Sequence, residues 1–141
     1  MTDTTPSGRP LSPHVQIYRW PITMAMSIAH RATGGALYFG TFLFAAWIIS
    51  ASMGEVAFEK VNWLFGSFLG RTVLFLYTLA LVHHLVGGVR HLFWDTNPAL
   101  LEKNLAIKTA WSTIVVSIVL TLLISLFGLS AMLSMLCARR V

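Results

Sequence analysis

TAWSTIVVSIVLTLLISLFGLSAMLSMLCA, residues 109–138, contains no Asp, Glu, Lys or Arg. A helix that crosses a bilayer needs about 20 apolar residues, and this run exceeds that. Two more stretches, 32–54 and 72–89, are equally free of charge. The shorter one extends back through the apolar run 61–70, with Arg71 inside the helix or near its end. The reading is an all-α membrane protein with three transmembrane helices, over about residues 21–53, 62–94 and 109–138.

Composition agrees. The 141 residues are 56% hydrophobic and 11% charged. A soluble domain carries roughly 25% charged residues, so this chain has too few to cover a water-facing surface. The net charge of +5 comes from basic residues that flank the apolar runs. They are not gathered on one amphipathic face, which argues against nucleic acid and fits the sorting of Lys and Arg at membrane surfaces. Cys137 is the only cysteine. It has no internal disulfide partner, and one thiolate is too few to hold an iron–sulfur cluster on this chain alone.

Residues 1–20 are polar and turn-prone, with Pro6, Gly8, Pro10 and Pro13. They read as an arm on the membrane surface, ahead of a transmembrane domain over 21–141. Pro21 suits a first helical turn, where its missing N–H is unpaired anyway. A loop is expected around 54–60, a break at Asn97-Pro98, and a polar segment over 99–108. Met1 to Gly8 has Asp3 and no basic residue, unlike a signal-peptide start or a transit peptide. Arg9, Arg19, Arg31, Arg90, Lys103 and Lys108 lie on the side of the N-terminus; Lys60, Arg71, Arg139 and Arg140 lie on the other. That bias votes for a cytoplasmic N-terminus in a bacterial inner membrane.

Two polar clusters interrupt the helices, and ionisable residues at such depth usually face a partner or a cavity. In Ser27-Ile28-Ala29-His30-Arg31, Ser27 and Arg31 share a face and His30 lies beside them. A hydroxyl, an imidazole and a permanent cation suit a quinone, whose carbonyls accept hydrogen bonds and whose half-reduced form is an anion. They equally suit the propionates of a haem. The alternative is that Arg31 snorkels to lipid phosphates and Ser27 bonds back to its own helix.

The second cluster is His83-His84-Leu85-Val86-Gly87-Gly88-Val89-Arg90-His91, followed by Asp95. Gly87, Gly88, His91 and Asp95 fall on one helical stripe with His84. The glycines admit either a neighbouring helix or a flat macrocycle bound through imidazole. The alternative is a polar helix–helix contact made by His84. No C-x-x-C-H motif is present, so a haem here is non-covalent. Trp47, Trp63, Trp94 and Trp111 read as interfacial belt residues.

These residues resemble the family of cytochrome b556 subunits, the larger membrane anchors of succinate dehydrogenase (respiratory complex II). Three stretches carry the resemblance: Arg9-Pro10-Leu11-Ser12-Pro13-His14-Val15-Gln16-Ile17-Tyr18, Ser27-Ile28-Ala29-His30-Arg31-Ala32-Thr33-Gly34, and His84-Leu85-Val86-Gly87-Gly88-Val89-Arg90-His91 with Asp95. The third helix matches only as an apolar span.

The resemblance implies that His84 is an axial ligand of haem b, with the second ligand on a small partner anchor subunit. It implies that His30 and Arg31 meet the haem propionates. Ser27 and Arg31 would line a ubiquinone pocket walled by Trp20, Pro21 and Ile28, and Asp95 would help deliver protons. His83 precedes His84, and the spacing to Gly88, Arg90 and His91 favours His84 as ligand. The partners implied are an iron–sulfur subunit, a flavoprotein subunit and the second anchor, and the reaction is succinate plus ubiquinone giving fumarate plus ubiquinol. The chain has no flavin fingerprint and no cysteine set of its own. Competing readings are a haem-free structural anchor, the anchor of a quinol:fumarate reductase, and a proton-coupled transporter subunit using His84, His91 and Asp95 as a relay.

Overall fold

A computed structural model describes residues 19–138, without the side chains of residues 131–133 and 135–138. The expected surface arm therefore lies almost wholly outside the described residues, as do Arg139 and Arg140. Among the described residues the chain is all helical: α1 (Ile22–Ser52), α2 (Glu55–Gly66), α3 (Phe68–Thr96), a 3-10 turn (Pro98–Leu101) and α4 (Lys103–Ala138). The three long helices are each long and apolar enough to cross a membrane. Helix α3 packs against both α1 and α4, and these two also touch each other.

Pro21 sits one residue before α1, in extended conformation, and its carbonyl accepts from the Met24 and Ala25 amides. At the far end Gly54 takes φ +100°, a left-handed value that L side chains avoid. This one residue turns the corner, so the expected loop over 54–60 is absent and α2 begins at Glu55. Glu55 places a carboxylate in the first turn, where the helix dipole favours it. Trp47 Nε1 donates to Asn62 Oδ1 at 3.1 Å and ties α2 back to α1.

The expected second helix over 62–94 is broken at Ser67, which is extended (φ −65°, ψ 161°). Its hydroxyl donates to the Leu64 carbonyl at 2.6 Å and accepts from the Gly70 amide at 3.1 Å. One side chain thus closes α2 and caps α3. Gly70 is needed beside it, because a Cβ there would run into the Leu64 carbonyl and the Phe65 backbone.

The third long helix begins at Lys103 rather than near 109. Asn97 Oδ1 accepts from the Ala99 amide across the Pro98 turn, and Glu102 then caps α4, its two carboxylate oxygens accepting from the Asn104 and Leu105 amides at 3.1 Å. Those amides hold the Glu102 carboxyl below its usual range, Asn104 contributing most. The buried stripe of α4 is small and partly polar: Ala106, Ala110, Thr113, Ser117 and Thr121. Each of its hydroxyls donates to the carbonyl four residues earlier in the same helix. Such residues let helix backbones approach closely. Large apolar side chains such as Phe39, Phe42, Phe68, Leu85 and Phe127 are exposed, as a membrane-facing surface requires.

Candidate functional site

The two sequence clusters meet where α1 crosses α3. His30 and His84 stack, with ring centroids 4.1 Å apart and planes tilted by 15°. Each ring also reaches the other helix's backbone. His30 Nε2–H donates to the His84 carbonyl at 3.2 Å, and His84 Nδ1–H donates to the His30 carbonyl at 3.1 Å. A carbonyl can only accept, so both nitrogens carry protons. This fixes the tautomers: a neutral His84 keeps its lone pair on Nε2, and a neutral His30 keeps its own on Nδ1.

The clamp is fitted closely. A Cβ added at Gly87 would lie 2.6 Å from His30 Cδ2, and one at Gly34 would lie 3.0 Å from His84 Cε1. Thr33 Oγ1 lies 3.4 Å from His84 Nδ1 and donates to the Ala29 and His30 carbonyls. His91 presents its edge to His30 with centroids 5.2 Å apart. Gly87 thus serves helix contact, whereas the position of a Cβ on Gly88 is open.

A histidine that binds a metal commonly donates its second ring N–H to a carbonyl or carboxylate, which fixes the ring and raises the basicity of the ligating nitrogen. His84 has that arrangement, with Nε2 left over. Among the described residues no three His, Cys, Asp or Glu side chains are grouped to hold a bare metal ion. The crossing therefore holds two oriented imidazoles, His84 with Nε2 left over and His30 with Nδ1 left over, and the Cβ position of Gly88 is open on the His84 stripe. A neutral imidazole nitrogen held in this way has the chemistry of a haem-iron ligand.

The comparisons with known proteins bear directly on this crossing. The family model for the succinate dehydrogenase/fumarate reductase transmembrane subunit matches residues 5–124, a span that contains both clusters. The chain belongs to that family. It is 40% identical over 123 residues to the succinate dehydrogenase cytochrome b556 subunit of Paracoccus denitrificans, covering 87% of this chain and 94% of the relative. It is 43% identical over 129 residues to the human mitochondrial cytochrome b560 subunit, covering 89% and 72%. The Rickettsia felis b556 subunit is 36% identical over 116 residues.

For a member of the succinate dehydrogenase/fumarate reductase anchor family, the other expected site residues lie in two settings. Ser27 is half-buried, one turn before His30. Trp20, Pro21, Ile28 and Arg31 are exposed, with Trp20 at 65% and Ile28 at 45%, so they form an open surface on this chain. Asp95 is exposed near the end of α3, with no ion-pair partner among the described residues. His83 takes no part in the clamp's hydrogen bonds and lines a cavity with Ala29 and Thr33 of α1 and Ile114 and Ser117 of α4. Thr33 and Gly34 were not singled out as site residues by the sequence. Their signal was present at +3 and +4 from His30, but reading it required knowing that His84 comes to that face.

Proposed function

We propose that this chain is the membrane anchor of a succinate:ubiquinone oxidoreductase, carrying one haem b on His84 and lining a ubiquinone site with Ser27 and Arg31. The observation that supports it best is the reciprocal His30–His84 clamp, which holds the His84 imidazole with Nε2 left over, the tautomer an iron ligand needs. The relatives named as cytochrome b subunits favour the same reading.

In this reading His84 gives Nε2 to the iron, and the His30 carbonyl keeps the ring in that orientation. Arg31, permanently charged, meets a propionate. His30 supports it by packing, because its one N–H is already given to the His84 carbonyl. The haem, when bound, supplies a one-electron reservoir beside the quinone. Ser27 and Arg31 orient a quinone carbonyl and stabilise the negative charge that develops on it. Trp20, Pro21 and Ile28 are open to their surroundings, so the rest of the pocket comes from an iron–sulfur subunit and a second anchor subunit. A flavoprotein subunit completes the complex and oxidises succinate. Asp95, at the same end of α3, supplies protons. The N-terminus lies on the cytoplasmic side of a bacterial inner membrane.

The test is a reduced-minus-oxidised visible spectrum of the purified complex. A b-type band is expected, and it should disappear in His84→Ala while remaining in His83→Ala. A normal band in His84→Ala would refute the assignment. The family description also covers fumarate reductases; comparing quinone reduction by succinate with quinol oxidation by fumarate separates the two directions.

A further inference from the structure

The face of α3 turned from the clamp carries a second cluster that the proposed function leaves unused. Arg90 is only 8% exposed, and its Nε and Nη1 have no hydrogen-bond partner among the described residues. Its guanidinium carbon lies 4.8 Å from the centre of the Trp94 ring, and Trp94 Nε1 is likewise buried without a partner. An arginine cannot shed its proton to escape burial, and a buried charge left unpaired is strongly unfavourable. The stacked indole offsets a part of that. An anion is the missing complement.

Both side chains line a cavity of about 260 Å³ between α3 and α4. One water occupies about 30 Å³ in the liquid, so this space suits a larger group. Its lining is graded along the membrane normal. Trp94, Thr109 and Ser112 lie towards the helix ends at the 3-10 turn, whereas Val86 and Val116 lie deeper. Arg90 is six residues from the end of α3, about 9 Å along the axis at roughly 1.5 Å per residue, and its guanidinium leans over Trp94, one turn nearer that end. Val89, Phe93 and Ser112 are exposed at the rim, so the cavity opens sideways to the surroundings of the bundle.

We propose that this groove binds one membrane phospholipid, its phosphate accepting from Arg90 and Trp94 Nε1 and an acyl chain running along Val86 and Val116. Basic pockets between transmembrane helices near one membrane face are a recurrent way of holding lipid headgroups. Thr109 and Ser112 spend their own protons on carbonyls of α4, so Arg90 and Trp94 are the donors.

The test compares the intact complex with Arg90→Gln and Trp94→Phe after purification in mild detergent, counting retained phospholipid by native mass spectrometry. Arg90→Gln should lose one phospholipid per anchor, its affinity falling about tenfold or more, and Trp94→Phe should retain it less well than wild type. An unchanged lipid count in Arg90→Gln overturns the proposal. So does a variant that keeps its lipid but sheds a partner subunit, since the anion would then be that subunit's carboxylate. Where Arg90→Gln fails to assemble, delipidated wild-type complex is titrated with phosphatidylglycerol micelles or with inorganic phosphate. A rise in Tm with the lipid alone, smaller in Trp94→Phe, supports the site. No rise with the lipid, or an equal rise with phosphate, overturns it.

Discussion

His30 and His84 each spend one ring N–H on the backbone of the other's helix, 54 positions away in the chain. The contact depends on Gly87, where a Cβ would meet His30 Cδ2 at 2.6 Å. The His30 ring is trapped between that glycine and the His84 ring and has little freedom to yield. Gly87→Ala should therefore destabilise the purified complex by about 1–3 kcal/mol, the usual range for overpacking, read as a fall in Tm. Combined with His30→Ala, the change should be smaller than the sum of the two; additivity would mean that the glycine serves some other contact. The residue types at this crossing were legible in the sequence, and so was the stripe that puts Gly87 and His91 with His84. Which ring nitrogen faces which carbonyl was not legible, because it depends on the crossing of two helices far apart in the chain. For the same reason the glycine pair looked like one flat patch, although Gly87 takes the His30 ring and the Cβ position of Gly88 is open.

At the scale of elements, the spans were legible from charge-free length, and their ends were not. Ser67 lies in an apolar run that a hydropathy criterion passes over, yet its hydroxyl joins two caps. Ser67→Ala should destabilise the complex by about 0.5–2 kcal/mol and speed amide exchange at Gly70; unchanged exchange there would count against the cap. Glu102 gives α4 an earlier start than its apolar core announces. Its carboxyl is held below the usual range, chiefly by the Asn104 amide and then by Leu105. The sign follows: its support for the first turn is present above the ordinary carboxylate pKa and is lost as pH falls through the lower folded value. Amide exchange at Asn104 and Leu105 should then exceed the normal pH trend in acid, and Glu102→Gln should remove that excess. A wild-type profile in the variant would refute the cap.

For the molecule as a whole, few side chains are buried and large apolar ones face outward on all three long helices. Family membership and this outward apolar surface both fit a chain that works within an assembly. Arg31→Ala tests the proposed assembly at its quinone end. Quinone reduction by succinate should fall by about tenfold or more, the scale of one lost charge-assisted interaction. Succinate oxidation by an artificial dye should persist, because the proposed assembly gives that step to a flavoprotein subunit. Equal rates of quinone reduction in mutant and wild type would remove Arg31 from the site.

The hydroxyls of Thr113, Ser117 and Thr121 answer only to carbonyls of α4 itself. The helix can therefore leave the translocon with these groups already satisfied, and its arrival against α3 demands no exchange of partners. Along this stripe α4 is held to α3 by shape, with none of these three hydroxyls spent on a latch between the helices.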